Sequence, residues 1–475
     1  MTDIKNKSVP EKIVLAAAVF LMGVQILWAF VWMCKNIAVV PAFGDSAEYL
    51  ELSSTMRLDE YRPVLYPLVL KVILKIGRIT GTAYQVWLYL MQTFVSFGSI
   101  LYGVFTIDRA MGYQRPVRKE RMGLVIFLSL YLMSIPMITF MNFCVLTDSL
   151  ATSMLVVFLS GLVILFAQER VPVWNYALTA AALTAECLLR ADRLYSCLLL
   201  AVIAFLVRIC KNPRGRRQVL AAMLSVCLTV TVLVKGIGAA TQMPGINGRI
   251  ETNLDFILLD RIVWPNMAAN YDRFPKEIQE IITRKEAKTF DKHNNNVMYQ
   301  MAPIVEARAG KENAGRIYRT MASVVFSGQP GKVLGDIGED ILAMAVTPVS
   351  SLLNSYKLCD KGDSWNIHCM SSAEPELTEH YNRYYQVTFL ILLGMGIVLT
   401  ACRKIKGRKC GMRLLLRTMM PHIGMGVILT LWFSLGDGAP PNDRYALLIY
   451  LDWSLVTAGL LGAWERGQQD GRKDK

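Results

Sequence analysis

Apolar runs of roughly twenty residues, separated by short polar clusters, recur along this chain. Each is long enough to cross the hydrocarbon core of a bilayer as a helix. The pattern predicts spans near 13–33, 86–107, 122–140, 149–166, 173–189, 194–207, 219–240, 387–401, 419–435 and 446–463, about ten in all. Between 241 and 385 no apolar run reaches that length. There PKEIQEIITRKEAKTF, opening at Pro275, reads as one amphipathic helix, and PGKVLGDIGEDILAMAV, after Gln329, as a second that also starts on proline. The expected fold is an all-α polytopic membrane protein. An N-terminal transmembrane module (1–240) carries a polar first outer loop (34–84) with surface helices, 241–385 forms a small, mainly helical outer domain, and 386–475 supplies the last spans and a tail.

Composition supports the membrane reading: 475 residues, 53% of them hydrophobic, with a mean hydropathy of +0.36. A net charge of +14 would suit a nucleic-acid partner were it spread over one surface. Instead it concentrates in short loops between spans, at Arg109, Arg115, Arg118, Lys119 and Arg121, at Arg208, Lys211, Arg214, Arg216 and Arg217, and at Arg403, Lys404, Lys406, Arg408, Lys409 and Arg413. That distribution is the positive-inside pattern; it excludes nucleic acid as the reading, puts both termini in the cytoplasm and leaves the loop after the first span outside. It fits a bacterial plasma membrane and does not exclude a eukaryotic endomembrane. The first span has a basic preface (Lys5, Lys7, Lys12) but too long an apolar core and no small-residue cleavage site, so it reads as a retained anchor. Of ten cysteines, Cys359 and Cys369 flank a polar outer stretch, where a disulfide and two thiols fit the pattern equally well.

Chemistry concentrates on the outer face. PAFGDSAEYLELSSTMRLDEYRPVLY (41–66) follows the first span and holds Asp45, Glu48 and Arg62. Asp45 is placed to act as a general base toward a hydroxyl, or, with Glu48 three residues on, to cap a surface helix. Arg62, ahead of Pro63 and Tyr66, suits a phosphate, because its planar fork matches two oxygens; it equally suits an interfacial anchor beside the aromatic belt. Asp148 opens a span in LTDSLATS, where it serves either chemistry or a helix cap. The turn Arg190-Ala191-Asp192-Arg193 joins two spans, and Arg444 and Tyr445 meet the last span from outside. Glu186, Lys235 and Asp452 lie within predicted spans, where ionisable groups face the protein interior and find partners. Four scattered histidines offer no zinc signature, and no phosphate-binding glycine loop or nucleotide fingerprint occurs. The oxygens of Asp45, Glu48 and Asp148 are of the type that holds a divalent cation, though nothing in the pattern requires one.

Taken in order, Asp45, Arg62-Pro63, LTDSLATSMLVVFL, LLRADRLYSCLLL and NDRYALLIYL resemble the outer-face motifs of GT-C glycosyltransferases, such as the protein O-mannosyltransferases and the aminoarabinose transferases of lipid A. The resemblance implies a GT-C transmembrane bundle that moves a sugar from a polyprenyl-phosphate carrier to a hydroxyl on a glycan, lipid or protein acceptor, with inversion. It further implies catalytic roles for Asp45, Glu48 and Asp148, with Asp45 as the base. Arg62, Tyr66, Arg190, Arg444 and Tyr445 would contact substrate, Arg62 and Arg444 gripping the carrier phosphate. One departure is that Ser46 follows Asp45 where the family commonly has Glu, so a second carboxylate falls to Glu48. A transporter or flippase of lipid-linked saccharides, which needs the phosphate grips and no base, and a non-catalytic membrane scaffold are the competing classes.

Overall fold

The computed structural model describes residues 46–56, 62–112, 136–167, 171–190, 193–211, 258–289, 297–346 and 412–436, with single positions elsewhere (16, 20, 23, 24, 27, 31, 129, 132, 133, 228, 230–232, 236, 394, 451, 455 and 456). The described residues are helical and contain no strand, as expected of an all-α chain. The chain divides into two compact units, one of Met1–Met243, Leu353–Gly426 and Tyr450–Lys475, the other of Pro244–Leu352 and Val427–Ile449. Among the described residues two helices are long and apolar enough to cross a membrane, Tyr84–Ile107 and Asp148–Phe166. Helices also cover the expected spans at 173–189 and 194–207 and lie across 419–435. The expected spans at 13–33, 122–140, 219–240, 387–401 and 446–463 fall wholly or mostly outside the described residues, as do Lys235, Cys359, Cys369 and Asp452.

In the first unit, helix α1 (Ser46–Thr55) ends where Met56 turns into the left-handed region at φ 53°. Helix α2 (Leu65–Thr80) tolerates Pro67 because a first-turn residue has no helical N–H bond to lose. It stops at Gly81, whose φ of 66° is open to glycine and whose N–H reaches the Gly77 carbonyl. The turn is tight: a Cβ on Gly77 would stand 3.0 Å from the Thr82 carbonyl oxygen and 3.1 Å from the Tyr84 Cα. Helix α3 (Tyr84–Gly112) follows at once, then α4 (Pro136–Phe143), α5 (Asp148–Ala167), α6 (Val173–Leu189) and α7 (Leu194–Lys211).

Helix α5 is the hub. It is apolar on all sides and buried along nearly its whole length, and α3 and α6 pack against it. Gly103 brings α3 close, since a Cβ there would sit 3.3 Å from both Val156 and Ser160. Gly161 does the same for α6, and an added Cβ would run into the Thr179 side chain. Asn175, fully buried on α6, bridges all three helices: its Oδ1 accepts from Tyr102 Oη at 3.1 Å, and its Nδ2 donates to the Gly161 carbonyl at 3.4 Å.

The second unit is a helical module with its own core. Leu259, Val263, Trp264, Met267, Phe274, Ile278, Met301, Val305, Ile317, Met321 and Val325 are all buried together there. Its elements include α8 (Lys276–Ile281), α9 (Arg284–Thr289), α10 (Val297–Ala309), α11 (Lys311–Gly328) and α12 (Pro330–Val346). Helix α12 starts at Pro330 as the sequence predicts, but the single helix expected from Pro275 is two. Ile282 is extended at φ −119° and ψ 118°, and Thr283 restarts the chain with a capping box. The Thr283 N–H donates to Glu286 Oε2 at 2.8 Å, while the Glu286 N–H donates to Thr283 Oγ1 at 3.2 Å. Those reciprocal bonds satisfy donors that a continuous helix would have paired internally.

Candidate functional site

The residues that the sequence singled out in the first unit form three ion pairs, and a ring contact and a buried hydrogen-bonded chain lie between two of them. Glu48, on α1, accepts from Arg62 Nε at 2.8 Å and from Arg62 Nη2 at 2.6 Å. The same guanidinium stands over the Tyr49 ring, 5.2 Å from its centroid, a cation–π contact that fixes the fork as the ion pair does. Arg62 is mostly covered and Glu48 is about half exposed, with side-chain exposures of 20% and 43%.

Beneath this pair, Tyr49 meets Tyr66 edge to face with centroids 5.0 Å apart. Tyr66 is completely buried. Its hydroxyl donates to Gln92 Oε1 at 3.3 Å. Burial first, then the neighbouring Tyr49, holds the phenol pKa well above the ordinary tyrosine value, so the hydroxyl keeps its proton. Gln92 extends the chain by donating from Nε2 to the carbonyls of Asn142 at 2.7 Å and Cys144 at 3.0 Å. Asn142 in turn accepts from Ser149 Oγ at 2.6 Å.

Asp148 stands in this buried turn at the first position of α5, 1% exposed. Arg190, at the end of α6, reaches it at 3.5 Å. One turn earlier on α6, Glu186 accepts from Arg193 at 2.6 Å, both side chains being buried. Glu186, placed by the sequence inside a span, thus faces the interior and has a partner, the arrangement that makes such a charge tolerable.

The polar chain also sets the direction of the two candidate spans. Gln92 touches the turn before Asp148, and Gly103 lies against Val156 and Ser160, so α3 and α5 run the same way. Helix α3 therefore extends past the start of α5 by its residues 84–91, about 12 Å of helix at 1.5 Å per residue. Around the turn, Asn142 Nδ2, Thr147 Oγ1 and Thr152 Oγ1 are buried and have no partner among the described residues. Buried donors are rarely left so, and their grouping beside a carboxylate marks a place built for polar company.

Of the eight predicted site residues, Glu48 and Arg62 pair with each other, Asp148 and Arg190 pair with each other, and Tyr66 lies in the chain between the pairs. Asp45, Arg444 and Tyr445, the other three, lie outside the described residues, as does Asp192 of the turn between α6 and α7. Among the described residues no three histidine, cysteine or acidic side chains stand together as a metal site; Asp45, one of the three carboxylates considered for a cation, is not among them. Gln92 was not singled out by the sequence reading, although a lone glutamine within an apolar run is a signal that it has a buried task. Compared with protein-family models, curated proteins and solved structures, the chain matches none.

Proposed function

We propose that this chain is an integral-membrane glycosyltransferase of GT-C type, moving a sugar from a polyprenyl-phosphate donor to a hydroxyl acceptor on the outer face with inversion. The observation that carries the reading is the two ion pairs, Glu48 with Arg62 and Asp148 with Arg190, with Tyr66 and Gln92 between them beside the start of a candidate span. A donor of this class brings a phosphate at the lipid headgroup level and a hydroxyl-rich sugar next to it. Arg62 can exchange one of its two bonds to Glu48 for a phosphate oxygen, and the unpartnered donors of Asn142, Thr147 and Thr152 suit sugar or phosphate oxygens.

In this mechanism Asp45 accepts the proton of the acceptor hydroxyl as its oxygen attacks the anomeric carbon. The bond from that carbon to the phosphate oxygen breaks on the opposite face, and its electron pair leaves with the lipid phosphate. Arg62 and Arg444 stabilise the charge that develops there. The ten-span topology, an outer domain at 241–385 and a bacterial plasma membrane belong to the same proposal. The donor assignment is tested by equilibrium binding of a labelled polyprenyl-phosphate sugar to the purified chain. Arg62→Ala should weaken binding about tenfold or more, the scale of one charge-assisted hydrogen bond. Undiminished affinity would remove Arg62 as the phosphate grip.

A further inference from the structure

Helix α2 is apolar on two opposite faces. Tyr66, Leu70, Ile73 and Gly77 are buried on one, while Leu68, Val72 and Ile79 lie along the other, 41%, 58% and 74% exposed. At helical periodicity Lys71, Lys75 and Arg78 line one edge of that exposed stripe. The helix contains no acidic residue, and among the described residues none of the three cations is in an ion pair. Helices that are apolar on more than their core face lie against lipid or a partner. An apolar stripe bordered by lysine and arginine is the form that lies in the interface of an anionic bilayer.

The position of α2 agrees. It runs back along the part of α3 that extends past the start of α5, with Tyr66 at Gln92 and Gly77 at Tyr84. The candidate span α3 exposes apolar positions of its own, Leu90, Phe94, Leu101 and Phe105. We propose that the outer face of α2 is a docking surface for anionic membrane lipid. Leu68, Val72 and Ile79 enter the acyl boundary, and Lys71, Lys75 and Arg78 hold the headgroup phosphates. This role goes beyond sugar transfer and stands apart from it, since none of these side chains belongs to the pairs described above.

The test uses the full chain purified in neutral detergent, with phosphatidylglycerol or phosphatidylcholine added back. Phosphatidylglycerol should raise the wild-type melting temperature by several degrees more than phosphatidylcholine, and added salt should shrink the difference. The combined variant Lys71→Gln, Lys75→Gln and Arg78→Gln should lose most of that difference, and Lys71→Arg with Lys75→Arg should keep it. Equal effects of the two lipids on the wild type, or a full difference in the glutamine variant, would overturn the proposal. A second arm does not depend on that variant folding. A fluorophore on Val72→Cys in nanodiscs should be quenched by brominated lipid beyond the signal of the parental chain; quenching by aqueous iodide alone, or by neither, would place this face in water or against protein and overturn the proposal equally.

Discussion

Single residues decide how closely the helices of the first unit approach. Gly161 is the sharpest case, because a methyl group there would occupy the space of the Thr179 side chain, whose Cβ lies 3.0 Å away. Gly161→Ala should therefore destabilise the chain by about 1–3 kcal/mol, whereas Gly98→Ala, with nothing within 4 Å, should be neutral or slightly stabilising through helix propensity. Thermal unfolding of the two variants in detergent compares them directly. Glu186 is the residue whose loss should be felt most. Glu186→Ala leaves the buried Arg193 guanidinium without its carboxylate 2.6 Å away, and removing one partner of such a pair costs about 3–5 kcal/mol. The sequence made each of these charges visible as an interruption of an apolar run, but not its partner. Arg190 with Asp148 and Arg62 with Glu48 join side chains on different elements, and nothing local in the chain encodes which carboxylate a guanidinium will reach. Gln92 escaped notice for the same reason, since its task appears only when the turn at 142–144 is folded against it.

At the scale of elements, the second unit shows where periodicity alone misleads. The apolar spacing from Pro275 onward continues through Ile282, so it reads as one helix, while Thr283 and Glu286 hold the reciprocal signature that starts another. Arg308 locks the new helix by donating to Glu286 at 2.9 and 2.8 Å. That bond, ahead of the bonds from Thr283, lowers the Glu286 pKa to about 2. A depressed carboxylate pKa adds stability that is present above the unfolded value near 4.5 and is lost as pH falls toward 2. Because the pair is partly exposed, the contribution should be about 1 kcal/mol or less. An acid titration of stability should show that loss in the wild type and not in Glu286→Gln. Thr283→Ala should cost about 1 kcal/mol by removing the cap, and hydrogen exchange should show faster opening at the start of α9 than elsewhere in the unit.

At the scale of the whole molecule, the all-helical class and the polar chemistry beside apolar helices were readable from spacing and charge, because period and span length are local properties. How α2 folds back on α3 was not, since that depends on the tight turn at Gly77–Tyr84 and on the bond from Tyr66 to Gln92. The proposed function rests on one claim, that an outer-face carboxylate drives sugar transfer from a lipid phosphate held by Arg62 and Arg444. The direct measurement supplies a labelled polyprenyl-phosphate sugar and a crude acceptor extract to membranes holding equal amounts of wild type or Asp45→Asn, and follows label leaving the carrier lipid. Transfer is expected from the wild type, with near-complete loss in Asp45→Asn and donor binding retained. Equal transfer by both would contradict the role of Asp45, and donor binding with translocation but no transfer by either would contradict the glycosyltransferase itself.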